Sequence, residues 1–218
     1  MNTPTVQQWL HEHPQRILST VEIARARGES VEFTHGLLAS CRDPLPLFHV
    51  GDRWVNPWTT DNPETIVPLF YPDGYVSLEW ALARWGCLSQ QPTVLSVVTP
   101  SAVPHDPQAV TGRWSLECLS PLSNRYPAPI LTAENVPVAT AAHALIDWAY
   151  HRWLQPGASL SLLQSFLDDC DRDVVDDDLI VLQQHADPLI RQLADTIIRQ
   201  WPDESHVFVA SANTTRQP

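Results

Sequence analysis

The sequence predicts a mixed α/β (α+β) fold, and three observations predict it. Capped helical stretches and then a glycine-centred hairpin fill the first sixty or so positions. Two β-rich runs, "TVLSVVT" (93–99) and "RWSLECL" (113–119), lie among helical stretches in the middle. Beyond residue 158, leucines recur at helical spacing. The 218 residues are 44% hydrophobic and 17% charged, enough to bury a core.

Residues 5–13 read as a short helix ended by Pro14. Ser19 is placed to cap a helix over 20–27, and Gly28 to stop it. Ser30 caps a third, "VEFTHGLLASCRD", which ends before Pro44. "LPLFHVGDRWVNP" then reads as two strands across Gly51-Asp52. Three helices followed by a hairpin is the order of a winged helix-turn-helix, assigned to residues 1–60. Residues 59–64 are polar and contain Pro63, which suits a linker.

The second domain is assigned to residues 61–218. "TIVPLFYP" is read as an edge strand or extended stretch, because Pro68 forbids a central strand. In "YPDGYVSLEWALARWGCL" (71–88), a turn leads to Ser77 as a helix cap, and Gly86 ends the helix. Residues 121–137 are proline-rich loop with a short strand at 129–131. "ATAAHALIDWAYHRWL" (139–154) is the strongest amphipathic helix, with Thr140 as cap and Ala144, Leu145, Trp148 and Trp153 on its buried face. The helical tail comprises 159–170, 179–185 and 188–201, before a closing strand and a frayed end.

Charge and composition exclude several function classes. The net charge of −12 opposes avid nonspecific binding to nucleic acid or anionic membrane. Residues 1–60 are nearly balanced, with five Arg against six acids; residues 156–218 carry four Arg against eleven. There is no lysine, which rules out a Schiff-base enzyme, a P-loop NTPase and a protein kinase in their usual forms. No apolar run approaches the length of a membrane span, and "MNTPTVQQWLHEHPQR" lacks the pattern of a signal peptide. The expectation is a cytoplasmic protein, with Cys41, Cys87, Cys118 and Cys170 as free thiols.

Motifs for chemistry are sparse. "DDCDRDVVDDD" (168–178) places acids at positions one, three and five of a calcium loop that would begin at Asp169. The sixth position is Val174 instead of Gly, and the twelfth is Ile180 instead of Glu, so an acidic solvated loop is the better reading. Its functional rival is a surface for a basic partner. His143, Asp147 and His151 form a row at one-turn spacing, but no nucleophile stands in a fixed relation to it. The nine tryptophans are scattered along the chain, as core anchors are. No cofactor, metal site or catalytic residue is expected.

The third helix is the candidate DNA reader. Thr34, His35 and Arg42 would face the groove, with Arg25, Arg27 and Arg53 on backbone phosphates. The same elements serve equally as a protein-binding or dimerisation module, so operator DNA and a homodimer partner both stay open.

"DGYVSLEWALARWGCL", then "TVLSVVT", then "VPVATAAHALIDWAY" resembles, in order, the AbiEi-type antitoxins of abortive-infection, type IV toxin–antitoxin systems. The resemblance spans roughly residues 7–155. It implies a winged helix that represses its own operon by binding upstream repeats. It also implies a second domain that counteracts a nucleotidyltransferase toxin from the same operon, without catalysis. The alternative is a phage-defence interaction module that does not bind DNA. The chain departs from the family pattern at Trp80 and Trp85, at Ala141, Ala142 and His143, and in its slightly acidic N-terminal part.

Overall fold

A computed structural model describes residues 5–15, 17–41, 47–56, 62–101, 105–110, 114–123 and 129–201. Its N-terminal helices begin where side chains satisfy free backbone N–H groups. Helix α1 (Val6–Glu12) and helix α2 (Thr20–Arg27) each carry a capping box, Thr5 with Gln8 and Ser19 with Glu22. Gly28 ends α2 in the left-handed region, at φ 69°. Ser30 caps helix α3 (Val31–Ser40). Strand β1 (Ile17–Ser19) lies between α1 and α2, and strands β2 (His49–Val50) and β3 (Arg53–Val55) follow α3. They form an antiparallel sheet in the order β1-β3-β2. Strand β1 is absent from the expectation because three residues running straight into a helix cap carry no period-2 signal.

This unit has its own core, built on Leu10, Leu18, Ile23, Leu38 and Trp54. The Trp54 indole donates to Thr20 Oγ1 at 3.0 Å, which satisfies its one polar atom. Buried Asn56 donates to the carbonyls of Leu10, His13 and Gln15, so it ties the end of α1 to the hairpin. Phe48 and the next strand residue after Trp54, Val55, belong instead to the larger second core. The hairpin therefore contributes apolar side chains to both cores.

The second unit begins more helically than expected. Pro63–Ile66 is a 3₁₀ turn, and helix α4 (Val67–Phe70) continues from it, where an edge strand was expected. Pro63 and Pro68 both occupy first-turn positions, where a missing N–H costs nothing. Glu64, expected at the end of a linker, is buried. It accepts from the Trp80 indole at 2.8 Å and from Arg84 at 2.5 Å. Residues 59–61 of the expected linker lie outside the described residues.

Strand β4 (Tyr75–Ser77) turns directly into helix α5 (Leu78–Arg84), with Leu78 at φ 54°. Strands β5 (Val94–Val98), β6 (His105–Ala109), β7 (Ser115–Leu119), β8 (Ile130–Leu131) and β9 (Pro137–Val138) complete a mixed sheet in the order β6-β7-β5-β4-β9-β8. The β5–β7 and β4–β9 pairs are parallel and the others antiparallel. Leu116, Glu117 and Cys118 are all buried, so β7 is covered on both faces and its alternation does not mark a solvent side.

Helix α6 (Ala141–Trp148) passes into a π-helical turn over Ala149–Trp153, where a single helix was expected. Every residue of α6 except His143 is buried, so α6 is a central helix and not a surface one. Around it pack helices α7 (Leu160–Asp168), α8 (Asp176–Leu182) and α9 (Pro188–Gln200). In α9, Ile190, Leu193, Ala194 and Ile197 fall at i, i+3, i+4 and i+7, the inward stripe of a surface helix. Helix α8 starts three residues sooner than expected, because Asp176, Asp177 and Asp178 fill its first turn, where the helix dipole favours acids. The acidic segment is thus partly helix and not wholly loop. Residues 202–218, read as a strand and tail, lie outside the described residues. Among the described residues no helix is long and apolar enough to cross a membrane.

Candidate functional site

The structure separates the residues expected to face DNA into three groups. His35, Arg25 and Arg53 are exposed. The His35 ring stands edge-on to Trp54 at 5.5 Å. Arg53 donates to the Leu69 carbonyl at 3.0 Å, so it spans from the hairpin to α4. Thr34 is fully buried and its hydroxyl donates to Glu29 at 3.2 Å, which removes it from any groove-facing row. Arg27 makes a two-point pair with Glu29, at 3.0 and 2.7 Å, and its side chain is only 5% exposed. That pairing holds the Glu29 carboxyl below its ordinary range and commits the Arg27 charge inside the protein. Arg42 lies outside the described residues. Burial follows from helix phase: Thr34 and Leu38 are one turn apart on the inward face of α3.

A polar node is built from the stretches 71–88 and 139–154. Asp147, fully buried on α6, accepts from Ser77 Oγ at 2.6 Å and from Tyr75 Oη at 3.2 Å. Ser77 holds the N-cap position of α5 as expected, but its hydroxyl is spent across the core and makes no cap bond. Burial and the Asp147 charge both raise the Tyr75 phenol well above its usual value, keeping it a neutral donor. Nearby, the Trp85 indole donates to the Ala139 carbonyl at 2.6 Å. The His143/Asp147/His151 row does not line a solvent face. His143 Nδ1 lies 2.7 Å from Thr140 Oγ1, and burial lowers its pKa to about 4. Burial also lowers that of His151.

A second centre joins four elements. Glu117 on β7 is 2% exposed. It accepts from Ser96 Oγ on β5 at 2.5 Å and from two nitrogens of Arg152, Nη1 at 3.2 Å and Nη2. Arg152 Nε reaches Glu79 on α5 at 3.3 Å. Burial alone would lower the Arg152 pKa, but the bonds and charges of Glu117 and Glu79 outweigh it and raise it. The π-helical turn is what swings Arg152 over the sheet; such turns recur at functional sites. Sequence reading missed this centre. Its only trace was a glutamate between Leu116 and Cys118, which period-2 alternation assigns to the solvent side.

Two clefts bear on the site. One of about 610 Å³ lies between the hairpin and α4, lined by Phe48, Val50, Phe70, Tyr71 and Asp73 among others. The other, of about 400 Å³, opens beside Glu79. Among the described residues, no group of three or more His, Cys, Asp or Glu could hold a metal ion. All four cysteines are buried, and none forms a disulfide. No protein-family model matches the chain, and no curated protein matches it.

Proposed function

We propose that this chain is an AbiEi-type antitoxin and autoregulator of a type IV toxin–antitoxin operon. In this reading residues 1–60 are a winged helix for operator DNA, and residues 61–218 counteract a nucleotidyltransferase toxin. The observation that carries it is the convergence of two separated stretches. Ser77 of "YVSLEWAL" donates to Asp147 of "AHALIDWAY" at 2.6 Å, so the segments bearing the resemblance form one structural node. The helix order of the first unit and its β1-β3-β2 sheet support the winged-helix part.

The test is co-expression with the nucleotidyltransferase toxin that this reading places in the same operon. Growth arrest by the toxin is relieved by this protein; arrest that persists at matched expression removes the antitoxin reading. DNA binding is tested separately on repeats upstream of the gene. Among the described residues of the candidate set, Arg25 and Arg53 are the exposed cations, and two phosphate contacts correspond to a fall of log affinity with log salt at a slope of about −2. Arg25→Glu and Arg53→Glu should each weaken the shift.

A second reading is favoured by the burial of Thr34 and the internal pairing of Arg27. The N-terminal unit then serves protein interaction and not DNA. Operator DNA that gives no shift at low salt, beside a working control, selects this reading.

A further inference from the structure

The 400 Å³ cleft beside Glu79 has a composition that calls for a particular kind of ligand. Its walls come from the start of α5, the 88–93 loop and the end of α7. Glu79 and Asp169 supply two carboxylates, and Gln90 and Gln91 supply amides that accept as well as donate. No Arg or His is among its described lining residues, and the chain has no lysine. Phe166 forms an aromatic wall, held by parallel stacking on Trp148 with centroids 3.7 Å apart.

The charge balance beneath the cleft is incomplete. Among the described residues Arg152 is the cation of this centre, and it directs two nitrogens at buried Glu117 and only Nε at Glu79. One positive charge thus faces two carboxylates, and Asp169 adds a third on the cleft wall. A site with surplus negative charge, amide acceptors and a rigid aromatic wall favours a planar cation over an anion or a neutral group.

We propose that this cleft binds a single guanidinium cation, carried either by an arginine side chain of a protein partner or by a free guanidine. The guanidinium pairs with Glu79 and Asp169 and packs on Phe166. This site does not depend on the antitoxin reading, because neither DNA nor toxin neutralisation enters the argument.

The experiment titrates the full chain, labelled with nitrogen-15, with three probes at millimolar concentration: agmatine, the peptide Gly-Gly-Arg-Gly, and the same peptide with citrulline for arginine. The expected result is a saturable shift of the Gln90 and Gln91 side-chain amides with an arginine-type probe and none with citrulline. Shifts with agmatine and peptide alike identify a site open to free guanidines; shifts with the peptide alone identify a site for a partner's side chain. Glu79→Gln and Asp169→Asn, checked for native near-ultraviolet dichroism, should each weaken binding by about tenfold. The proposal is overturned if no probe shifts these amides, if citrulline binds equally, or if both variants bind as the wild type does.

Discussion

Ser77 Oγ and Asp147 Oδ2 lie 2.6 Å apart across a core in which both residues are fully buried. They are separated by 70 positions in the chain. The bond fixes the turn from β4 into α5 against the middle of α6, and Tyr75 supports it from the same strand. A hydrogen bond to a buried carboxylate contributes about 1.5–3 kcal/mol. Ser77→Ala should lower unfolding free energy by about that amount, measured by urea titration. Asp147→Ala should cost more, since it strands the buried Ser77 hydroxyl and the half-buried Tyr75 phenol. An unchanged urea midpoint in Ser77→Ala would show that this bond has no net value.

Glu117 and Arg152 form a pair whose carboxylate is almost wholly inside. Arg152→Ala leaves a buried carboxylate that keeps its bond from Ser96 but has lost its cation, so a loss of about 3 kcal/mol is expected. The double variant Glu117→Gln/Arg152→Met removes both charges and should recover much of that loss. A double-mutant cycle in guanidinium chloride measures the coupling.

His143 makes stability depend on pH. Burial is the main cause of its fall from the ordinary 6.5 to about 4, with Asp178 opposing and His185 adding to it. The unfolded chain therefore binds a proton between these values while the folded one does not. This contribution to stability is complete above pH 6.5 and is lost as pH falls toward 4, by about 3 kcal/mol over the window. His151 is shifted in the same direction and adds to the trend. Urea midpoints at pH 7 and pH 4.5 should converge more closely in His143→Gln than in the wild type.

Gly74 is required by space. A Cβ built there would stand 2.9 Å from Tyr71 Cβ and 3.1 Å from both Thr99 Cβ and Val97 Cγ1. Gly74→Ala should therefore destabilise by about 1–3 kcal/mol through overpacking, read as a lower melting temperature. By contrast, nothing lies within 4 Å of a Cβ at Gly36, and Gly36→Ala in α3 should stabilise by about 0.5–1 kcal/mol.

Local chemistry was enough to place the helix starts, because a cap is a short-range hydrogen bond. Ser19, Ser30, Thr140 and Ser159 each accept from a backbone N–H three residues on. Gly28 and Gly86 end their helices at positive φ for an equally local reason. The runs at 93–99 and 113–119 announced strands by composition alone, and so did the hairpin across Gly51. Tertiary structure decided what each polar side chain does. Thr34 reads as a surface residue until the phase of α3 buries it against Glu29. Glu117 reads as solvent-facing until Arg152 arrives from a π-helical turn. Ser77 holds the cap position it reads as, but Asp147 claims its hydroxyl. In each case the partner or covering element is decided by how the chain packs, and the cost of an unpaired buried polar group makes that choice.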